Sequence, residues 1–234
     1  MANALALAQE VARRVGISVP SSLVSTDTDG QQMLALMNEL GAELATRFRW
    51  QQLVKEVSFT TVANTEQGTL STILQESANT LISLTIWDET SNLWIEGPLS
   101  DSEFFPARDL GTGPQYEYKI FNDKLFILPT PPAGNTLRMF VRSSKWARSS
   151  AGAAKELLSA DEDYAVFADE LMRLGLRWKW REEKGLPYAE IQRSFEAMAA
   201  DLSARSASGR RLYMGQETRT VSPGIAIRGW NTIP

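Results

Sequence analysis

Apolar residues in the first fifty positions recur at helical spacing. Leu5, Ala8, Val11, Ala12 and Val15 form one stripe, and Gly16 stands where a left-handed C-terminal cap is wanted, so the spacing predicts a helix over residues 2–15. Residues 17–25, broken by Pro20, read as a connector. Thr28-Asp29-Gly30-Gln31 has the form of a capping box, and Met33, Leu36, Met37, Leu40, Leu44 and Phe48 then share one face of a second helix.

After Leu53 the period falls from 3.6 to 2, because Val57, Phe59 and Thr61 alternate with Glu56, Ser58 and Thr60. The chain reads as β from there to about Trp146. Residues 81–87 and 92–95 predict two strands around a Glu89-Thr90-Ser91 turn, and Ser100-Asp101-Ser102-Glu103 is a capping box that predicts a short helix near 103–108. Residues 116–121 and 124–128 flank Asn122-Asp123, two residues that tolerate the positive φ of a tight hairpin turn. Pro129, Pro131, Pro132 and Gly134 make a stiff loop before a last strand over 136–141.

Residues 143–152 are small and polar, as in a linker. Helical spacing then returns. Phe167, Leu171, Leu174 and Trp178 lie on one stripe of a helix expected over 161–184, with Asp161, Glu162 and Asp163 at its positive end and Lys184-Gly185 at its stop. Pro187 suits the first turn of a following helix, whose seam is Ile191, Phe195, Met198 and Leu202. The expected class is α+β: an antiparallel helical bundle drawn from both chain ends, a central antiparallel β insert and an extended C-terminal tail. Its expected parts are a helical domain of residues 1–53 and 154–206, a β-rich insert of 54–150 and a tail of 207–234.

Composition removes much chemistry. The 234 residues include no cysteine and no histidine, which excludes disulfides, thiol nucleophiles, Cys/His zinc sites, histidine-held haem and Ser-His-Asp triads. The 24 basic and 28 acidic residues leave a net charge of −4, which disfavours a general polyanion binder. The tail differs: from Asp201 onward Arg205, Arg210, Arg211, Arg219 and Arg228 face only Asp201 and Glu217. No apolar run is long enough to span a membrane. The apolar N-terminus lacks the basic start of a signal peptide, so synthesis in the cytoplasm is expected.

Carboxylate pairs are the catalytic chemistry left most open, with Asp161/Asp163 and Glu182/Glu183 as the nominees for a glycan hydrolase. Helix-start electrostatics and a solvated helix end explain both pairs more simply. Gly111-Thr112-Gly113-Pro114 lacks the lysine that follows a phosphate loop and reads as a turn. Asp27-Thr28-Asp29 resembles the opening of a calcium loop but lacks the distal glutamate, so capping is the better reading. No cofactor or metal is expected. Seven tryptophans and a basic C-terminal region leave a small DNA- or sugar-binding module as a further alternative.

Two features point instead to assembly. Trp180 lies two positions from the Trp178 stripe, so it is expected to leave the core and meet a neighbouring subunit. The tail keeps Leu212, Tyr213, Val221, Ile225, Ile227 and Trp230 among arginines and glycines, a pattern suited to docking on another protein by strand addition.

The order of several phrases resembles the head-to-tail adaptor proteins of short-tailed bacteriophages. They are Leu34–Trp50, Ile86-Trp87-Asp88, Gly97-Pro98-Leu99-Ser100, the run from Leu128 to Gly134 and the run from Lys184 to Glu190. The resemblance spans roughly residues 5–205. It implies a structural virion protein without catalytic residues, located in the neck between capsid and tail. It further implies a twelve-fold ring joining the portal to the tail nozzle around a channel through which genomic DNA passes without specific binding. On that reading Arg211, Leu212, Tyr213, Ile225, Ile227 and Trp230 of the tail meet the portal, and Trp180 meets the neighbouring subunit.

Overall fold

The computed structural model describes residues 1–25, 27–74, 78–81, 85–110 and 115–206. Two helices open the chain. α1 (Ala4–Val15) is capped by Asn3, whose Oδ1 accepts from the Ala6 N–H at 2.8 Å, and it ends on Gly16 at φ 77°, whose N–H donates to Ala12 O. α2 (Thr28–Arg47) follows. Its cap is Asp27, accepting from the Asp29 N–H, and not Thr28; Gln31 turns away to donate to Ser25 O.

A short 3-10 turn (Gln51–Leu53) leads into β1 (Val54–Thr60), β2 (Glu66–Thr69), α3 (Leu70–Leu74), β3 (Ala78–Leu81), β4 (Thr85–Asp88) and β5 (Leu93–Glu96). Then come α4 (Asp101–Leu110), β6 (Glu117–Phe121), β7 (Lys124–Leu128) and β8 (Thr136–Ser143). These strands form one sheet in the order β1-β8-β4-β5-β6-β7-β2, with β3 also pairing to β8. All neighbours are antiparallel except β5 and β6, which meet in parallel at Glu96 and Glu117. α3 touches both β1 and β2, so the sheet curls until its two edge strands approach one helix. The hollow of the curl holds Ile73, Ile86, Ile95, Tyr118, Leu125, Ile127, Leu137 and Met139.

Local signals in this region act as expected. Asn122 and Asp123 adopt φ 49° and 58°, and the hairpin register runs from Phe121↔Lys124 to Glu117↔Leu128. The Ser100 box is reciprocal: Ser100 Oγ accepts from the Glu103 N–H at 3.3 Å, while the Ser100 N–H donates to Glu103 Oε2 at 2.9 Å.

The stretch read as a linker and helix start is built differently. β9 (Ala147–Arg148), β10 (Ala154–Lys155) and β11 (Tyr164–Ala165) form a second, three-stranded sheet in the order β10-β9-β11. α5 (Asp169–Glu183) therefore begins eight residues later than the acidic run, and Asp169 and Glu170 occupy its first turn. Gly185 at φ 66° ends the turn after it, Pro187 precedes α6 (Ala189–Ser206), and the Pro187 carbonyl accepts from Arg181 Nε.

α5 packs against α1, α2 and α6 around a second hydrophobic core that includes Leu7, Met33, Leu40, Trp50, Trp146, Phe167, Leu176 and Phe195. Two glycines let large groups close in. A Cβ at Gly41 would lie 2.3 Å from the Trp146 ring, and one at Gly175 would lie 2.4 Å from a Leu40 methyl. The fold is α+β.

Candidate docking surfaces

Enclosure of α5 on three sides decides the fate of its tryptophans. Trp178 packs at a tilt against Tyr188 and Phe195, and Trp180 is only 1% exposed, with the Lys184 Nζ 4.6 Å above its ring. Both belong to one monomer core. The expectation that Trp180 leaves that core for a neighbouring subunit fails, because a helix with partners on three sides buries residues two positions apart. Lys179 is buried between them, donating to Glu39 at 2.7 Å and paired with Glu43 at 3.1 Å. Burial opposes its charge, yet the two carboxylates win and hold its pKa above the ordinary lysine value.

Of the nominated carboxylate pairs, Asp161 and Asp163 hold the backbone together. Asp161 Oδ1 accepts from the Leu23 N–H at 2.7 Å, and the Asp161 and Asp163 carbonyls accept from Leu5 and Ala4, latching the start of α1. Asp163 Oδ2 accepts from Lys155 Nζ, from the Ser159 N–H at 2.7 Å and from the Ala160 N–H at 2.9 Å. Burial would raise its pKa, but the Lys155 bond and these N–H groups hold it below the usual carboxylate range. The run does not open a helix; it ties loop to loop. Glu182 and Glu183 are exposed at the end of α5. Gly111-Thr112-Gly113-Pro114 lies outside the described residues, as do Arg211, Leu212, Tyr213, Ile225, Ile227 and Trp230 of the tail.

What can be placed is the root of that tail. Ser206, the last residue of α6, accepts from the Gln51 N–H at 2.8 Å and donates to Gln52 Oε1 at 3.3 Å, beside the start of β1. Arg47 grips Glu196 through two bonds of 2.7 Å, joining α2 to α6 nearly three turns earlier.

The outer face of the curled sheet holds the largest exposed aromatic groups, and periodicity alone did not single them out. On β4 and β5, Trp87 and Trp94 pair across the strands with ring centroids 4.7 Å apart, and Trp94 remains 56% exposed. The turn beneath them is rigid. Asp88, 2% exposed, accepts from the Thr90 N–H at 2.9 Å, the Ser91 N–H at 3.0 Å and Asn135 Nδ2 at 2.7 Å. Arg138 of β8 fixes Glu89 at 2.8 and 2.9 Å.

Two strands further round, α4 covers β6 and β7 and leaves a cleft of about 490 Å³. Phe104, Phe105, Phe121 and Phe126 line it, with Lys119 and Arg108 in its wall. Lys119 is buried, donating to Asp101 at 2.6 Å and to Leu99 O at 3.2 Å, with Phe104 against its ammonium. Arg108 lies over Phe104 and Phe105, and among the described residues its carboxylate partner is its sequence neighbour Asp109. Burial raises the Glu117 pKa, and repulsion from Glu103 and Glu96 adds to it. Large exposed apolar groups beside a formed cleft characterise protein-docking surfaces.

No helix among the described residues is long and apolar enough to cross a membrane. No curated protein matches the sequence. The family model described as SU10 adaptor protein matches residues 2–220, which takes in both cores, the outer sheet face and the first part of the tail. With a family match over nearly the whole length, the chain belongs to the SU10 adaptor protein family, and it is a structural, virion-associated bacteriophage adaptor.

Proposed function

We propose that the protein joins the portal of a phage head to the nozzle of its tail as a ring of twelve copies. Residues 1–53 and 154–206 build the ring, residues 54–150 face the nozzle, and residues 207–234 climb onto the portal through Arg211, Leu212, Tyr213, Ile225, Ile227 and Trp230. The family match over residues 2–220 is the observation that carries this reading. Charge supports it: a net −4 chain does not hold the DNA that must pass through the ring, as a basic lining would. The fixed position of Ser206 supports a directed departure of the tail.

Repetition makes the joint strong. Once one tail has docked, each further tail binds at the high effective concentration set by the ring, so modest single affinities combine into a complex that does not dissociate. The experiment is electron microscopy of the full-length protein mixed with its portal, beside a variant lacking Gly209–Pro234. The full chain is expected to form a twelve-fold collar under the portal, and the truncated chain to fold normally but leave the portal bare. A collar formed equally well by the truncated chain overturns the anchoring role of the tail.

A further inference from the structure

We infer that neighbouring copies join knob into hole, with Trp94 of β5, beside the β4–β5 turn of one copy, seated in the α4 cleft of the next. The inference rests on the adaptor reading above and adds to the helical ring a second contact between neighbouring subunits, made through residues 54–150. Three observations commit the cleft to a second copy. The knob is pre-organised, because the Asp88 and Arg138 bonds hold the turn before any partner arrives, and a rigid exposed aromatic loses little freedom on docking. The hole is aromatic on both walls, and Phe105 and Phe121 stand 56% and 58% exposed at its mouth.

Charge completes the match. Glu96, next but one to Trp94 on the same strand, is exposed and has no side-chain partner among the described residues. Among the described residues, Asp109 is the carboxylate that Arg108 of the cleft meets. A neighbour's Arg108 brought to Glu96 satisfies both and relieves the crowding of Glu96 against Glu117. Asp101 stays with Lys119 and takes no part.

Geometry sets the symmetry. The knob on β5 and the hole between α4, β6 and β7 are different surfaces of the same copy, so the contact joins unlike faces. Such a heterologous contact propagates from copy to copy and forms a ring where the rotation between copies closes.

The native absence of cysteine makes the test clean. The full-length chain carrying Trp94→Cys and Phe105→Cys supplies the adaptor in particles grown from phage lacking its own copy, and the particles are mildly oxidised and run on unreduced gels. A ladder of covalent adaptor multimers beyond the dimer, absent from each single variant, is expected. Particles that contain adaptor yet give no ladder overturn the contact while leaving the adaptor reading intact. Particles that contain no adaptor even when the unaltered chain is supplied overturn both.

Dimers from Trp94→Cys alone reveal a symmetric contact, and cross-linking of Phe105→Cys to a Trp230→Cys places the tail in the cleft; either result overturns the proposal. If the double-cysteine chain is not incorporated, charge exchange decides. Glu96→Arg and Arg108→Glu are each expected to lower incorporation about tenfold and together to restore it. Failure of the pair to rescue overturns the contact.

Discussion

The Trp146 ring lies flat against the backbone of Gly41, at the place where any side chain on position 41 would sit. Its distal atoms are 2.3 Å from the missing Cβ, and the ring is itself stacked on Phe167, so it has nowhere to go. Gly41→Ala is expected to cost about 1–3 kcal/mol through overpacking. Gly175→Ala is expected to cost less, because the atoms in its way are the methyl ends of Leu40, which can rotate. Thermal unfolding of the two variants checks the order, and equal melting temperatures would refute the argument from ring rigidity.

Trp180→Ala removes a side chain that the monomer core encloses. A loss of about 3–5 kcal/mol in monomer stability is expected, the range for a large buried ring. Urea unfolding at a concentration where the protein is monomeric measures it. Unchanged stability with impaired assembly would return Trp180 to an interface.

Asp163 predicts the acid behaviour of the loop it organises. Its folded pKa lies below its unfolded one, so its contribution to stability is complete above the ordinary carboxylate pKa of 3.8 and is lost as the pH falls through the lower folded value. Asp163→Asn is therefore expected to reduce stability at neutral pH and to flatten the acid limb of a stability-against-pH curve. A variant curve parallel to the wild type would contradict this.

Lys179 predicts the opposite limb. Its folded pKa is raised, so its contribution is complete below the ordinary lysine pKa of 10.5 and is lost as the pH rises through the higher folded value. Lys179→Met is expected to lose the alkaline fall in stability that this group causes. The check is denaturant unfolding of both proteins from neutral to strongly alkaline pH.

Asp88→Ala strips the β4–β5 turn of its central acceptor. It leaves the Thr90 and Ser91 N–H groups and Asn135 Nδ2 to find other partners, at an expected cost of about 1–3 kcal/mol. Amide exchange at residues 89–92 is expected to quicken while that of β6 and β7 is unchanged. Equal protection at the turn would show that other bonds hold it.

The parts of the fold legible in the sequence are those whose cause is local. Asn122-Asp123 sets its own φ angles, the Ser100 box closes within four residues, and Gly16 and Gly185 mark helix ends by their own conformation. Strands of two residues, such as β9, β10 and β11, have no period to read, and partners far along the chain create them. Asp161-Glu162-Asp163 reads as a helix start because acidic residues before a helix look alike whether they face its dipole or latch a loop; the Ser159 and Ala160 N–H groups on Asp163 are close in sequence, but the Leu23 N–H on Asp161 comes from far along the chain. Trp180 misled for a related reason, since a single-stripe rule presumes one buried face and α5 has three neighbours. The aromatic cleft under α4 was hidden because Phe104, Phe121 and Phe126 converge only once β6, β7 and α4 are assembled.

The hydrogen bond between Ser206 and Gln51 has a mechanical consequence. Tension on the chain beyond residue 206 enters the molecule at the seam where the helices hand over to the curled sheet, a few residues from the Arg47–Glu196 clamp. A pull on that end is thereby passed to α6 and to the entry of β1 together, at the joint between the two halves of the subunit.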